Sequence, residues 1–486
     1  MNFEDGAPVT QTATRIEKDS MGEMSVPADV LYGATTQRAL LNFPIKELPV
    51  SWEVIHAFAL LKKSAAQANH ALGKMEEPIC TLICAACDEI SQALEDSSRR
   101  GDMMRHFPVD VFQTGSGTST NMNVNEVISN LACLSAGAEI GAQDPVHPND
   151  HVNMGQSSND TFPTAMHVSS CIRMTDRLLP ALEVLRKSLE NKADQFEHLV
   201  KIGRTHLQDA TPIRLGQEFS GFARQLKNAI ERTGESIDCL AGNLAIGGTA
   251  VGTGINTHPE FANRVAERLA GATGIDFREA SNHFEAQSSI DSMVDAHGRM
   301  KTIAVSLSKI ASDIRLMACG PRCGLNEIAL PAVQPGSSIM PGKVNPVIIE
   351  SVMQVSMRIC GNDTTLTMAG MGGLGSLLDL NVAMPLSAVS MLETIQLLAN
   401  SASNLAAQCI DGIEANEDVI NDIVERSLML GTTLAPELGY NEAAAIAKAC
   451  FKSGQTIREY CLEHDILPSE RLDTLLDVSE MTHPHA

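Results

Sequence analysis

Aromatic side chains are scarce in this chain: one tryptophan, three tyrosines and 13 phenylalanines make up 3% of 486 residues. Positive charge is scarce too, with 36 Lys and Arg against 59 Asp and Glu and a formal net charge of −23. A nucleic-acid partner needs a basic stripe and stacking aromatics, so none is expected. Long apolar runs are also missing. Although 44% of the residues are hydrophobic, polar residues break every stretch well before the length of a membrane span, and no bilayer partner is expected. The opening MNFEDGAPVTQTATRIEKD has acidic residues and no apolar core, unlike a secretory signal or an Arg-rich transit peptide, which points to the cytoplasm. Twelve cysteines occur without a disulfide framework, and reduced thiols are expected. Cys84 and Cys87 form a CxxC with Cys80 one turn earlier. The surrounding ICAACDEI reads as helix and no second ligand pair follows, so these are taken as small core residues, and no metal site is assigned. The acidic balance carries one further consequence. Any pocket for an anionic substrate must be locally positive, made from backbone N–H groups and a few selected cations.

Helical periodicity is what the chain has in abundance. Met300, Ile303, Leu307, Ile310, Ile314 and Met317 repeat at alternating steps of three and four, the seam of long helices packed nearly parallel. Leu178, Leu182, Leu185, Leu189, Ala193 and Phe196 make a second stripe, with Pro180 near its start. Leu386 to Ala407 is apolar or small around most of its circumference, which predicts a helix enclosed by neighbours. Few alternating-strand patterns leave all-α as the fold class. Gly370, Gly372 and Gly375 spell a formal GxGxxG, but no strand precedes them, and a helix-breaking turn is expected instead of a dinucleotide site. Gly247 to Gly254 reads as another break. The length suggests about two to four domains or one elongated architecture. Boundaries are placed near residues 154 and 413, giving an N-terminal domain 1–154, a central long-helix domain 155–413 and a small C-terminal helical domain 414–486.

The stretch richest in chemistry is Pro335 to Pro346, PGSSIMPGKVNP. Gly336 and Gly342 permit unusual backbone geometry while three prolines limit how far the loop can wander. Ser337 and Ser338 offer hydroxyls, Lys343 a compact cation and Asn345 a donor and an acceptor, a set suited to holding and deprotonating a small carboxylate. Taken alone it reads equally well as an ordinary surface loop. Ser116, Gly117 and Thr118 lie in a Gly/Ser turn before MNVNEV, and Ser157, Ser158 and Asn159 precede TFPTAMHV. Both turns look like helix N-termini that could present hydroxyls and N–H donors to an anion, or serve simply as N-caps.

Four blocks together resemble the fumarase/aspartase superfamily: GSGTSTNMNVNEV at 115–127, HPNDHVNMGQSSNDTFPTA at 147–165, KIGRTHLQDATPIRLGQE at 201–218, and the loop at 335–346, which matches the signature GSSxMPxKxNP. Their order and spacing follow the family, and the similarity runs from Arg15 to the final helices. The resemblance implies three mainly helical domains whose long helices form a twenty-helix core in a homotetramer, with each active site shared among three subunits. It implies a dicarboxylate substrate, no metal and no organic cofactor. By this resemblance Ser337 is the base that removes the C3 proton, Lys343, Asn345 and Ser338 grip the carboxylate that becomes an aci-carboxylate dianion, and His206, with Thr205 beside it and Glu350 as its partner, handles the water. Ser116, Gly117, Thr118, Ser157, Ser158 and Asn159 bind substrate, and His147, Asn149 and Asp150 match a secondary anion site.

Within the superfamily the turns GSGT and SSND, His147-Pro148 and Pro321 to Gly324 follow the hydratase pattern, which implies reversible addition of water to fumarate. Aspartate ammonia-lyase is the alternative, since Asn362 to Thr365 looks more like that branch and Leu378 to Pro385 departs from the hydratase-like FELNVFRP. Asp144 stands where several fumarases have arginine. A catalytically silent helical scaffold is the remaining alternative, and intact Ser337, Lys343, Asn345, His206 and Glu350 argue against it.

Overall fold

Apolar residues at three- and four-residue steps do build long helices in the computed structural model, which describes residues 13–484. The chain opens with strands β1 (Thr14–Asp19) and β2 (Gly22–Pro27), then helices α1 (Ala34–Asn42), α2 (Trp52–Ala71), α3 (Glu77–Glu95), α4 (Arg100–Met104), α5 (Thr118–Ser135), α6 (Ser158–Arg173) and α7 (Leu179–Gln195). A hairpin of β3 (Val200–Thr205) and β4 (Gln208–Arg214) leads into α8 (Leu215–Ala241), α9 (Phe261–Thr273), α10 (His283–Ser288) and α11 (Asp291–Met317). After the two-residue strand β5 (Ile328–Ala329) come α12 (Val347–Gly370), the short pair β6 (Ser376–Leu377) and β7 (Leu380–Asn381), and α13 (Met384–Gln408). Strand β8 (Glu414–Ala415) precedes α14 (Glu417–Arg426), α15 (Ala435–Leu438), α16 (Tyr440–Ser453), α17 (Ile457–Glu463) and α18 (Ser469–Leu475).

The helical class is as expected, with small antiparallel strand pairs added to it. The β1–β2 hairpin carries no run of β-branched residues to announce it; side-chain bonds hold it instead. The Arg15 guanidinium donates to the carbonyls of Pro27, Val30 and Tyr32 at 2.6, 2.8 and 2.6 Å and is itself paired with Glu17. The two stripes are buried throughout, from Met300 to Met317 in α11 and from Leu178 through α7 to Phe196. The enclosure expected for 386–407 is complete on one side of α13, while Gln396, Asn400, Ser403, Asn404 and Ala407 form an exposed small and polar stripe. The GxGxxG follows α12 directly and not a strand, and a Cβ on Gly375 would lie 1.8 Å from the Ala369 carbonyl oxygen, so this glycine serves a tight turn.

Two compact units are present. The first comprises residues up to Leu178, Arg232–Lys301 and Ile359–Leu397. In it α2 packs on α3, α6 and α9, with Phe58 and Phe162 edge to face at 5.7 Å. Trp52, at the start of α2, is stacked by the guanidinium groups of Arg100 and Arg173, 4.0 and 4.3 Å from its ring centre. Cys80, Cys84 and Cys87 lie on α3, and burial pushes the Cys84 thiol up to about 12. Core helices in this unit also carry polar bonds. His297 is fully buried between Asp363, 3.2 Å from its Nδ1, and Thr394, 2.8 Å from its Nε2. The second unit comprises Leu179–Glu231, Thr302–Arg358 and the chain from Leu398 onward. Its C-terminal helices close on Leu430, Leu434, Ile446, Ile457 and Leu472. Beneath its β3–β4 hairpin, fully buried Glu327 accepts Arg204 at 2.6 Å and pairs with Lys201 at 3.3 Å, so removing one member would strand a buried charge.

His167 on α6 illustrates how this core responds to acid. Its Nδ1 lies 3.1 Å from the Leu240 carbonyl and so carries the ring proton, leaving Nε2 to accept from the Ser292 hydroxyl at 3.2 Å. Burial pushes its pKa down to about 4. An unfolded histidine titrates near 6.5, so the unfolded chain binds this proton first and stability falls as pH drops from about 6.5 to about 4, by on the order of 3 kcal/mol. In urea titrations, His167→Gln should be less stable than the parent at pH 7.5, with the gap closing by pH 4.5. A gap independent of pH would contradict a neutral buried imidazole.

Candidate active site

Two helix N-termini meet in the first unit. Gly117 takes a left-handed conformation, φ +73°, and starts α5, while Ser157 caps α6 through a capping box with Asp160. The hydroxyls of Ser116, Thr118 and Ser158 form a chain, 2.8 Å from Ser116 to Thr118 and 2.7 Å from Thr118 to Ser158. The expected binding residues of the two turns are thus brought together. Close backbone approach makes this possible. A Cβ on Gly115 would sit 1.7 Å from the Val382 carbonyl oxygen, and one on Gly117 would sit 2.0 Å from the Phe162 ring. Met384 donates its N–H to the Gly115 carbonyl at 3.0 Å and pins the same turn. The paired N-termini and their hydroxyls offer an anion partial positive charge in a chain that is otherwise strongly acidic.

Under these turns lies a polar layer that sequence reading missed. Fully buried Lys62 donates to Asn153 Oδ1 at 2.9 Å, and Asn121 and Asn125 donate to the same oxygen at 3.1 and 3.2 Å. Asp160, also fully buried, accepts the N–H groups of Ser157, Gly247 and Thr249 at 2.9, 3.0 and 2.9 Å. Burial pushes Asp160 up to about 7 and Lys62 down to about 7, each opposed by attraction to the other. A carboxylate that collects three N–H donors is the ionised form, and Lys62 is its counter-charge. The Ser-x-x-Asp spacing of a capping box was visible at 157–160 and could have marked Asp160; nothing in the local pattern marks Lys62. Glu126 of the first block anchors the start of α1, accepting from Gly33, Thr35 and Thr36, and is thereby committed to holding that turn.

The second unit holds the candidates of the 335–346 loop, the β3–β4 hairpin and Glu350. Ser337 Oγ accepts two backbone N–H groups, from Ile339 at 3.2 Å and Met340 at 3.1 Å. Asn345 Nδ2 donates to the Gly336 carbonyl at 2.7 Å and ties the two ends of the loop together. A Cβ on Gly336 would lie 2.1 Å from the Lys343 carbonyl oxygen, so glycine is required there. Ser337 is half-buried, while Ser338 and Lys343 are exposed. Lys343 and Asn345 line a cavity of about 440 Å³ with Arg315, Cys319, Asn326 and Pro331. Arg315, at the end of α11, is a second cation on that cavity that sequence reading did not single out. Glu350 stands exposed in the first turn of α12.

Thr205 pairs with Gln208 across the β3–β4 hairpin, which leaves His206 and Leu207 as its two-residue tip. Both have left-handed backbones, φ +57° and +59°, the geometry such a turn demands and one that glycine or asparagine usually supplies. His206 is exposed at the hairpin end. Among the described residues His206 and Glu350 form no ion pair with each other. His147 starts a short π-helical turn in the first unit, where its Nδ1 accepts from Asn149 and Asp150 N–H at 3.3 and 3.1 Å; the Asn149 and Asp150 side chains are exposed. The residues that looked ammonia-lyase-like serve helix packing. Asn362 donates to Glu393 at 2.8 Å, and Asp363 binds Lys301 at 2.6 Å as well as His297.

Comparison with known proteins adds the following. A lyase family matches residues 22–361 and a fumarase C C-terminal family matches residues 430–483. The mitochondrial fumarate hydratase of Rhizopus oryzae is 48% identical over 96% of this chain and 92% of its own length. A class II fumarate hydratase of Rhizobium meliloti is 47% identical over 97% of this chain and all of its own. A crystal structure of the class II fumarase of Schistosoma mansoni superposes with a TM-score of 0.92 at 38% identity, covering 98% of this chain and 100% of that one.

Gly117→Ala should be destabilising by about 2–4 kcal/mol, from its left-handed backbone and the clash with Phe162. Chemical denaturation of the variant measures this; an unchanged midpoint would mean that Phe162 yields freely.

Proposed function

The chain belongs to the lyase family, with a fumarase C-type C-terminus, and from that premise we propose that it is a fumarate hydratase, adding water reversibly to fumarate to give L-malate. Dehydration of malate needs a base for a weakly acidic C3–H, stabilisation of the charge that gathers on the neighbouring carboxylate, and help for hydroxide to leave. The observation that carries the reading is the pair of N–H groups on Ser337 Oγ. A free serine is far too weak a base, and two amide donors favour its alkoxide, as would the positive charge of Lys343 in the same loop. Ser337 takes the C3 proton. Lys343, Asn345 and Ser338 hold the carboxylate that becomes the aci-carboxylate dianion, where a fixed cation lowers the transition state most. Thr205 and His206 serve the water, with Glu350 orienting the imidazole. Ser116, Gly117, Thr118, Ser157, Ser158 and Asn159 hold the other carboxylate, and His147, Asn149 and Asp150 form a secondary anion site. These groups supply all three services without a cofactor.

The assembly in this reading is a homotetramer in which three subunits contribute to each site. Exposed apolar residues support it: Met357 and Met368 on α12 are 68% and 51% exposed, and Leu207 at the hairpin tip is 71% exposed. The divisions near residues 154 and 413 remain our domain assignment. All twelve cysteines are free thiols, which supports a reducing compartment such as the cytoplasm.

Purified protein should raise fumarate absorbance when given L-malate. Turnover of L-aspartate with none of malate would transfer the assignment to an ammonia-lyase. Ser337→Ala should lower kcat by about 10²-fold or more, and His206→Asn by a comparable factor, with the oligomer intact by sedimentation. Near-normal kcat in either would remove that residue from the mechanism.

A further inference from the structure

The glycine-rich segment 247–254 is more than a break between helices, because it is bonded on two sides. From α6, Asp160 accepts the Gly247 and Thr249 N–H groups, and the Thr164 hydroxyl accepts from Ile246 at 2.9 Å. From α10, fully buried Gln287 donates to the Thr249 carbonyl at 2.8 Å, and His283 Nε2 lies 3.0 Å from the Ile246 carbonyl. No side chain fits at its first two glycines. A Cβ on Gly247 would meet Ala262 Cβ at 2.5 Å, and one on Gly248 would meet Gln287 Oε1 at 2.1 Å. Thr249 is itself held left-handed, at φ +54°. Strain and close packing of this kind persist only where the surroundings over-determine a backbone.

The segment turns one carbonyl toward the hydroxyl turns. Ala250 accepts from Asn159 Nδ2 at 2.8 Å. An asparagine amide can face a ligand with either its oxygen or its nitrogen, and only the nitrogen attracts an anion. With Ala250 taking one N–H, the amide cannot turn over without setting its oxygen against the carbonyl oxygen. The second N–H stays available to a carboxylate, while Oδ1 faces the Ser158 hydroxyl at 3.4 Å.

We propose that segment 247–254, clamped by Asp160 and Gln287, is a positioning element that locks Asn159 in the anion-donating orientation and thereby sets the affinity of the hydroxyl turns for a dicarboxylate. The proposal rests on the reading of those turns as a substrate carboxylate site. Asp160 and Gln287 act through Asn159 and touch no substrate.

The test uses the full-length protein and succinate, an unreactive four-carbon dicarboxylate. Gln287→Met removes the Thr249 bond at similar volume, and Asp160→Asn sets an NH2 group against the N–H donors. By calorimetry, each should weaken succinate binding by about tenfold, and in Gln287→Met the KM for malate should rise by a similar factor while kcat changes less than about threefold. In an Asn159→Ala background, Gln287→Met should cause no further loss, since its effect passes through the missing amide. Unchanged succinate affinity in Gln287→Met, or a full additional loss in the Asn159→Ala background, would overturn the proposal. Should Asp160→Asn fail to fold, the Gln287 series decides alone. Wild-type protein that binds succinate but leaves malate untouched would remove the hydratase assignment and leave the role of the segment standing, whereas wild-type protein that turns over malate but binds no succinate would remove the role of the segment and leave the hydratase assignment standing.

Discussion

The contact on which the first unit's chemistry depends is the 2.7 Å hydrogen bond between Thr118 and Ser158, which draws the N-termini of α5 and α6 together. Two helix starts carry like partial charge and gain nothing from meeting, so the arrangement has to be imposed by packing. Phe162 lies against Gly117, the backbone at Val382 lies against Gly115, and the buried Asp160 ties the start of α6 to its neighbours. Each demands a specific residue: no side chain at 115 or 117, and an acceptor with two oxygens at 160. The result is a patch of donors in a chain of net charge −23, created by geometry where composition opposes it.

The second unit solves a related problem with strain. A histidine at the tip of a two-residue hairpin must accept a left-handed backbone, and its neighbour Leu207 must do the same. Such conformations cost on the order of 1 kcal/mol or more each for ordinary residues and endure where the base of the hairpin is rigid. The Lys201, Arg204 and Glu327 network supplies that rigidity, because a buried carboxylate held by two cations tolerates little displacement. The loop at 335–346 is organised differently, by turning inward: its serine oxygen collects its own amides, and Asn345 closes the ring on Gly336.

Legibility in the sequence followed physical range. Periodic stripes such as Met300 to Met317 were readable because a helix repeats its environment every turn, whereas the polar blocks, each equally a loop or an N-cap when taken alone, were readable through their joint resemblance to a family's motifs. What escaped was long-range. Arg15 holds a hairpin through carbonyls 12 to 17 residues away, and Lys62 reaches Asn153 across 91 positions, pairings with no local signature. Segment 247–254 was visible as glycine-rich, yet its partners at 160 and 287 lie in separate helices. Asn362 and Asp363 show the same limit, since their partners His297, Lys301 and Glu393 come from other helices and only the fold reveals these bonds.

The stacking of Trp52 between Arg100 and Arg173 has a practical side. As the chain's sole indole, it confines tryptophan emission to a single address, the junction of α2, α4 and α6. Melting curves followed by selectively excited tryptophan emission therefore chronicle the loosening of one corner of the first unit.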